Sequence, residues 1–252
     1  MNNLENAGFL IFGASGSVGA LVSRQLVAEG ARVLLAGRDE AKLKVLSDEL
    51  NQQYAVIEAG DESAIEQAFE KAVSTFGQLG GVVNCMGSVL LKPAHLTSLE
   101  EWHETVTINL TSSFLIVKNA GKALRKNGGS VVLVSSSAAQ IGMSNHEAIA
   151  AAKAGIEGLV RSAASTYAGQ GIRFNAVAPG LVKSNMTRSI WENESMAEFS
   201  KEMHALGRLG EPQDIASAIC WLLNPQNSWI TGQILGIDGG LSQVMPRRKM
   251  TK

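Results

Sequence analysis

Seven short apolar runs, separated by longer helix-like segments, set the strongest limit on how this chain folds. The runs are FLIF (9–12), RVLLA (32–36), YAVIE (54–58), GVVNC (81–85), SVVLVS (130–135), IRFNAVA (172–178) and QILGID (233–238). Each run is almost wholly apolar instead of alternating, which is typical of strands buried on both faces. Strands that alternate with helices predict an α/β fold, a doubly wound sheet of about seven parallel strands with helices on both faces.

Capping residues mark the limits of several intervening segments. Asp39 opens DEAKLKVLSDEL, and Asp61 opens DESAIEQAFEKAVSTFG, which stops at Gly77. Aspartate is a preferred N-cap, and glycine commonly ends a helix. We find no linker, repeat or low-complexity tract in the 252 residues, so a single domain over 1–252 is predicted. The least regular segment, about 183–206, is predicted to be a flexible lid.

Charge and composition exclude several classes of protein. The net charge of −1 gives no field that attracts nucleic acid or an anionic membrane. The one basic run, PRRK at 246–249, is interpreted as a solvated end, and no apolar run reaches the ~18 residues of a membrane span. Cys85 and Cys220 lie in apolar segments and the first residues lack a signal-peptide pattern, which together predict a cytoplasmic protein without a disulfide framework.

A glycine-rich turn follows the first apolar run. FLIFGASGSVGALV places Gly13, Gly16 and Gly19 between a strand and a helix. Glycine lets backbone N–H groups approach a pyrophosphate, and a helix N-terminus adds partial positive charge. The position of the turn, at the start of a strand–helix–strand unit, predicts a dinucleotide site. A tight turn without a ligand is the alternative.

The end of the second run bears on which dinucleotide binds. NAD-binding folds place an acid there, whereas LLAGRDE has Gly37 followed by Arg38. A guanidinium pairs well with the 2′-phosphate of NADP. The sequence therefore predicts NADP in preference to NAD. In the alternative, Arg38 is a solvated loop residue and Asp39 takes the acidic role, although Asp39 is expected to cap the next helix.

With these residues in hand, the chain resembles a short-chain dehydrogenase/reductase of the single-domain type, over about residues 8–244. The matching motifs are GASGSVG, NCMG (84–87), VTINLTSSF with Asn109, VVLVSSSAAQ, NAVAPGLVKSNMT, GRLGEPQDIASAICWLL and TGQILGIDGG. Ser17 stands where many members have a glycine, and Ser184 replaces the usual threonine. The resemblance implies a Rossmann-type dinucleotide-binding domain whose cofactor lies across the carboxyl edge of the sheet.

The resemblance also implies which residues meet each part of the cofactor. The pyrophosphate and adenosine ribose would meet Gly13, Ser15, Ser17, Val18 and Gly19. The adenine would be flanked by Glu58 and Ala59. The ribose side would be lined by Asn84, Met86, Gly87 and Lys153. The carboxamide and nearby phosphate would be held by Pro179, Gly180, Val182 and Ser184.

The chain departs from the family at the proton donor. The family uses a tyrosine four residues before a lysine, whose charge lowers the pKa of the phenol. The lysine here is Lys153, and four residues earlier stands Ile149, which has no proton to give. The partner serine of many members, thirteen residues before that tyrosine, is Ser136. Ser136, Asn109 and Lys153 therefore remain without the acid.

His146 is a candidate replacement for the missing acid. It lies seven residues before Lys153, two turns or about 10 Å if the helix extends that far. The bacterial enoyl reductases, a divergent branch of the resembled family, place their tyrosine at this spacing. An imidazole titrates ordinarily near 6.5, closer to neutrality than a phenol near 10. The alternative is a polar residue that caps the helix or faces solvent.

The other candidates have structural alternatives as well. Ser136 is a candidate oxygen-binding group or a strand-end cap, Lys153 a ribose ligand or an exposed helix lysine, and Asn109 a polar group at a helix kink.

Apolar residues of segment 183–206 either close on a partly apolar substrate or anchor the lid: Met186, Ile190, Trp191, Met196, Phe199 and Met203. We assign no metal site. The resemblance implies a homo-oligomer, a tetramer or a dimer, assembled through about 90–125, about 148–168 and the last strand.

Two functions remain open from the sequence. The first is an NADP-preferring oxidoreductase that transfers a hydride between nicotinamide and a carbonyl/alcohol or activated C=C substrate, with an atypical active site. The second is a non-catalytic NADP-binding protein, a redox sensor or scaffold. A pure binder needs Lys153 but has little use for Ser136 and Asn109. Their joint presence favours the enzyme.

Overall fold

Seven parallel strands form one sheet in the computed structural model, which describes residues 4–246. The strands are β1 Gly8–Phe12, β2 Arg32–Gly37, β3 Gln53–Val56, β4 Leu79–Asn84, β5 Gly129–Val134, β6 Ile172–Pro179 and β7 Ile234–Ile237. Their order is β3-β2-β1-β4-β5-β6-β7. Because the order reverses beside β1, a crevice opens at the carboxyl ends of β1 and β4, where doubly wound sheets bind ligands.

Helices cover both faces of this sheet. They are α1 Ser17–Ala28, α2 Glu40–Leu50, α3 Glu62–Phe76, α4 Leu99–Val106, α5 Ser112–Ala123, α6 Glu147–Tyr167, α7 Arg188–Trp191, α8 Glu194–Met203 and α9 Pro212–Leu223. The predicted N-caps are confirmed, since Asp39 accepts the Lys42 N–H at 3.1 Å and Asp61 accepts the Ala64 N–H at 2.9 Å. The predicted fold class is confirmed.

Alternate residues of the central strands supply two separate cores. Leu10 and Phe12 point into a cluster with α3, α5 and α6, whereas Phe9 and Ile11 point into one with α1, α2 and α9. The apolar runs of the inner strands are explained by this double coverage. For the edge strands the expectation of burial on both faces is wrong. Every residue of β7 and all of β3 keep some exposure, because an edge strand has a neighbour on one side only.

Two further predictions from the sequence concern the basic run near the end of the chain and the absence of a membrane span. The basic run at 246–249 lies, apart from Pro246, outside the described residues. Within residues 4–246, none of the helices combines the length and the apolar character that crossing a bilayer requires.

Candidate active site

The glycine-rich turn between β1 and α1 is shaped by close backbone approach. Gly13 has φ +72°, and a Cβ there would lie 2.7 Å from the carbonyl carbon of Cys85, which directly follows β4. A Cβ on Gly19 would lie 2.3 Å from the Gly13 carbonyl oxygen. No side chain caps α1, whose N-cap is Gly16. The first-turn amides therefore face the crevice as donors for an anion, which fits a pyrophosphate.

The end of β2 places Arg38 beside this turn. Arg38 is exposed, and Gly37 packs so that a Cβ there would lie 3.5 Å from the Ser15 hydroxyl oxygen. The Asp39 carboxylate turns to α2, where it accepts from the Lys42 backbone and pairs with the Lys42 ammonium at 2.7 Å. The hydrogen bond with Lys42 lowers the pKa of Asp39. The acid therefore belongs to the helix, and the guanidinium remains at the crevice.

The sites predicted for adenine and ribose follow β3 and β4 at the same edge. Glu58 is exposed and Ala59 is half-buried. Asn84 is buried, donates to the Ser113 hydroxyl at 3.1 Å and accepts the Met86 N–H at 3.0 Å. These bonds hold the turn that leads to Gly87. A Cβ on Gly87 would lie 3.1 Å from Asn109 Oδ1 and 3.5 Å from Lys153 Nζ, so three predicted site residues converge there.

Lys153 is a buried cation on α6. It is 7% exposed, so the alternative of an exposed helix lysine is wrong. Its ammonium donates to the Val134 carbonyl at 2.8 Å, and two further N–H donors are left for a ligand. Burial lowers the pKa of Lys153 to about 8, partly offset by the nearby Cys85. A desolvated ammonium with spare donors fits the hydroxyls of a ribose.

Asn109 lies in a π-helical turn, residues Thr107–Thr111, between α4 and α5. Its side-chain amide donates to the Thr105 carbonyl at 2.9 Å and to the Ser88 hydroxyl at 3.0 Å, and its oxygen accepts the Ser88 N–H at 3.2 Å. The interpretation as a polar group at a helix kink is thus confirmed. Because Asn109 also faces Gly87 and Lys153, it braces the loop on which a ribose would rest.

A cavity of about 500 Å³ adjoins this crevice. It lies between the end of β5, the start of α6, the loop after β6 and the helices α7 and α8. Ser136, His146 and Ile149 line it together. Apolar side chains complete much of its wall: Val89, Leu91, Met143, Leu181, Ile190, Met196, Phe199, Met203 and Leu241.

Three consecutive serines at the end of β5 have different partners. Ser135 donates to Glu157 at 3.1 Å, and Ser137 donates to Asp238 at 2.9 Å. Ser136 accepts the Ala138 N–H at 3.2 Å, which confirms its capping role, and its own hydrogen has no acceptor among the described residues. Within this trio, Ser136 is therefore the hydroxyl that remains able to donate to a ligand in the cavity.

His146 lies just outside α6, which begins at Glu147. Its ring Nδ1 is 2.7 Å from the Ser144 carbonyl oxygen, so Nδ1 carries the hydrogen of that bond. The start of this helix was left open by the sequence, and the structure places residue 146 at its N-cap (φ −112°, ψ 9°), so the helix does not extend through His146. His146 nevertheless lines the cavity, with Nε2 as the ring nitrogen left to exchange a proton.

Comparison with known proteins agrees with this arrangement. A family model described as Enoyl-(Acyl carrier protein) reductase matches residues 13–242. The 3-oxoacyl-[acyl-carrier-protein] reductase FabG of Escherichia coli is 32% identical over 245 residues, covering 96% of this chain and 100% of the relative.

A short-chain type dehydrogenase/reductase from Mycobacterium ulcerans superposes with a TM-score of 0.93 at 28% identity, covering 97% of this chain and 92% of that one. This chain belongs to the short-chain dehydrogenase/reductase family. Levodione reductase is also similar in structure, with a TM-score of 0.90 at 28% identity over 95% of this chain and 98% of that one. The relatives named here are oxidoreductases.

This family member contains a second cavity histidine that the sequence analysis missed. His204 is 3% exposed; its Nδ1 donates to the Ser200 carbonyl at 2.6 Å and its Nε2 accepts the Leu181 N–H at 3.2 Å. Both ring nitrogens are engaged, so His204 ties α8 to the loop after β6. No local pattern signals this role, because its partners Ser200 and Leu181 are brought to it by the fold.

The loop after β6 contains the residues expected at the carboxamide. Pro179 and Gly180 line the cavity, and Val182 forms a bridge with Gly210. The Ser184 hydroxyl lies 3.0 Å from the Thr187 hydroxyl.

The apolar residues of segment 183–206 divide into two roles. Ile190, Met196, Phe199 and Met203 line the cavity, whereas Trp191 anchors the segment by donating to the Ser184 carbonyl at 2.8 Å. The methyl group of Met186 lies near Gly87, 3.7 Å from where a Cβ would stand.

The two cysteines of this short-chain dehydrogenase/reductase are free thiols in apolar surroundings. Burial raises the pKa of both Cys85 and Cys220 to about 12. A thiol that stays protonated is a poor nucleophile, so neither cysteine is a candidate catalytic nucleophile.

Proposed function

We propose that this chain is an NADPH-dependent oxidoreductase that reduces an activated C=C or carbonyl substrate without the family's tyrosine. One observation carries this proposal: Ser136 and His146 line the same cavity as Ile149. Ile149 is 4% exposed and contributes only an aliphatic surface where the acid is expected. The cavity thus retains a hydroxyl donor and an imidazole although the phenol is absent.

The crevice residues fit NADPH. The amides of the glycine-rich turn would hold the pyrophosphate, Arg38 the 2′-phosphate, and Lys153 with Asn84 the ribose side. When bound, the nicotinamide ring supplies a hydride. Glu58, Ala59, Met86 and Gly87 would border the adenosine and ribose, and the loop from Pro179 to Ser184 would border the carboxamide.

The loss of the phenol favours a C=C substrate over a simple ketone. Hydride addition to a ketone leaves an alkoxide, a strong base that needs a proton in the same step. Hydride addition to the β-carbon of an enone shifts the π electrons onto oxygen as an enolate, a weaker base. The Ser136 hydroxyl stabilises that oxyanion by donating a hydrogen bond, and the proton can arrive later at the α-carbon.

His146 is proposed to deliver that proton from Nε2. The Ser144 carbonyl accepts from Nδ1 and orients the ring, so the proton is exchanged at the other nitrogen. The imidazole can recover the delivered proton from solvent, since His146 is half-buried and not sealed from water.

The second candidate function, a non-catalytic NADP-binding protein, is favoured by the buried Ile149 alone. A binder requires the glycine-rich turn, Arg38 and Lys153, all of which are in place. It has no need of a Ser136 hydroxyl whose hydrogen is left to donate into the cavity. That hydroxyl is the reason to place the enzyme first.

We further propose a cytoplasmic homo-oligomer, with the chain as one dinucleotide-binding domain and residues 183–206 as its lid. Two glycines of α6 bear on the assembly. Gly155 packs within the chain, where a Cβ would lie 2.7 Å from Leu110, whereas a Cβ on Gly158 would meet nothing within 4 Å. The face of α6 around Gly158 is therefore the part that a second copy can approach closely.

Calorimetric titration with NADPH and NADH tests the cofactor first. NADPH should bind more tightly than NADH. Arg38→Ala should weaken NADPH at least about tenfold, the usual scale for a charge-assisted hydrogen bond, and leave NADH unchanged. Failure to bind either nucleotide would overturn both candidate functions.

Oxidation of NADPH with 2-cyclohexenone and with cyclohexanone tests the reaction. The two ketones share a ring and differ in the C=C bond. We expect turnover of the enone to be faster than turnover of the ketone. Turnover of the enone should be reduced in Ser136→Ala and retained in Ile149→Ala. In His146→Ala, both turnover and its pH dependence should be lost. NADPH binding without turnover of an enone or ketone panel would favour the non-catalytic protein, and full activity in His146→Ala would show that histidine is not the proton donor.

A further inference from the structure

We infer that the substrate is an uncharged, free small molecule, and not a thioester presented on a phosphate-bearing arm. This inference rests on the proposed function and specifies its substrate class. It sets this chain apart from relatives whose names specify acyl-carrier-protein substrates. Two independent features support it: the composition of the cavity wall and the pairing of every cation that we can place at the cavity mouth.

Apart from the His146 imidazole, which is proposed to hold the transferred proton, the cavity wall provides no charged side chain. Among the described residues that line it there is no aspartate, glutamate, lysine or arginine, and its polar atoms belong to hydroxyl, amide, imidazole and backbone groups. Burying an unpaired carboxylate or phosphate in such surroundings is strongly unfavourable. Ser136 provides for a single oxygen, while Met196, Phe199 and Met203 suit an apolar body.

The cations that flank the lid segment are neutralised. Lys183, at its start, pairs with Glu211 at 2.6 Å. Arg208, just beyond its end, pairs with Asp214 at 2.7 Å through two hydrogen bonds. Neither side chain is therefore available to an approaching phosphate unless it first gives up a carboxylate.

The lid helices themselves carry an excess of negative charge. Arg188 pairs with Glu192 at 3.4 Å, and Lys201 pairs with Glu198. Glu194 and Glu202 on α8 have no basic partner among the described residues. Phe199, which lines the cavity and is 67% exposed, lies on this same helix, so the acidic groups belong to the helix that forms one wall of the cavity.

The opposite rim is neutral as well, since Lys92 pairs with Glu101 at 2.8 Å. The cofactor crevice differs, because Arg38 forms no ion pair within residues 4–246. The chain thus leaves a guanidinium unpaired where a cofactor phosphate is proposed and leaves none at the mouth of the substrate cavity. Recognition of a phosphate normally uses such a group.

A matched pair of thioesters tests the inference. S-crotonyl pantetheine and S-crotonyl 4′-phosphopantetheine differ by one phosphate and present the same activated C=C bond. With NADPH-saturated protein we expect kcat/KM for the uncharged ester to exceed that for the phosphorylated ester at least about fivefold at low salt. Equal or higher kcat/KM for the phosphorylated ester would overturn the inference and leave the proposed function standing.

Equilibrium binding keeps the test decisive if neither ester reacts. Calorimetry on the NADPH complex should show the same preference for the uncharged ester, and the reverse preference overturns the inference. Absence of turnover with NADPH bound would count against the proposed function alone.

Reversing the two unpaired negative charges on α8 provides the control. Glu194→Lys/Glu202→Lys should raise kcat/KM, or the affinity, for the phosphorylated ester severalfold at low salt and leave the uncharged ester within about twofold. The gain should shrink at high salt, as screening requires. An unchanged preference would show that charge on α8 does not select the substrate.

Discussion

The cofactor crevice and the substrate cavity meet at α6, yet they are constrained in different ways. In the crevice, Gly13 and Gly19 admit no side chain because backbone atoms stand where a Cβ would lie. In the cavity, Ile149 is a buried side chain that forms part of the wall, and its backbone has an ordinary helical position. Backbone packing protects the first region from change, whereas a side chain in the second can be exchanged without disturbing the fold.

Lys153 and Ile149 show this difference one helical turn apart. Lys153 is buried against Val134 and points to Gly87, so its place is set by the crevice. Ile149 packs at the wall of the cavity, where chemistry and not packing would demand a tyrosine. The comparison indicates that the side chain at position 149 can change while the residues of the crevice stay in place.

The largest expected effect comes from restoring the phenol. Ile149→Tyr places a hydroxyl one turn before Lys153, where the ammonium lowers the pKa of a phenol. General acid catalysis contributes about 10²–10⁴-fold, so NADPH-dependent reduction of simple ketones should rise by about that factor. Steady-state kcat measures the effect.

Ile149→Phe is the matched control, since it adds the ring without the hydroxyl. It should show no gain in ketone reduction and a similar change in thermal stability. A gain shared by both variants would mean that ring packing, and not acid catalysis, limits the reaction. No gain in ketone reduction in Ile149→Tyr would contradict this comparison, because the crevice would then not be arranged to activate a phenol.

Lys153→Met separates binding from stability. Loss of the ammonium should weaken NADPH by about tenfold. The same change should raise the free energy of unfolding near neutral pH by about 3 kcal/mol, because burial lowers the folded pKa of Lys153 to about 8 from its ordinary value of 10.5. Below pH 8 the folded and unfolded chains are both protonated, and burial of the charge destabilises the fold fully.

The pH dependence of the free energy of unfolding tests the direction of this effect. Between pH 8 and 10.5 the unfolded chain binds more protons at Lys153, so stability of the parent protein should rise with pH across that window. Lys153→Met should lack this rise, and the exposed Lys126→Met should retain it. Urea unfolding at fixed protein concentration from pH 7 to 10.5 provides the measurement; a parallel slope in parent and Lys153→Met would contradict the assignment.

A smaller effect is expected at His204, which couples the two regions. His204→Gln keeps an acceptor near Nε2 for the Leu181 N–H, whereas His204→Asn keeps a donor near Nδ1 for the Ser200 carbonyl. An unpaired buried N–H costs about 1–3 kcal/mol, so urea unfolding should show that much loss of stability in the Asn variant and a smaller loss in the Gln variant. The opposite order would place the structural role on the Ser200 bond.

The parts of the molecule that the sequence predicted well depend on local periodicity and on backbone stereochemistry. Strand and helix segments follow from apolar runs and from caps such as Asp39 and Asp61, whose bonds lie within four residues. The glycine-rich turn follows from φ values that other residues avoid. Strands β3 and β7 were predicted, but their exposure was missed, because a strand's position at the edge of the sheet is a property of the sheet order, which local patterns do not contain.

The candidate site divides along the same line. By itself the sequence determined the family, the glycine-rich turn, and the presence of an isoleucine where the acid is expected, since these depend on residue identity and spacing along the chain. Only the tertiary structure decided that Lys153 is buried, that His146 stands outside α6 and still faces the cavity, and that His204 joins α8 to the loop after β6. Burial and cross-chain hydrogen bonds arise when distant segments pack together, so they are absent from any short stretch of sequence.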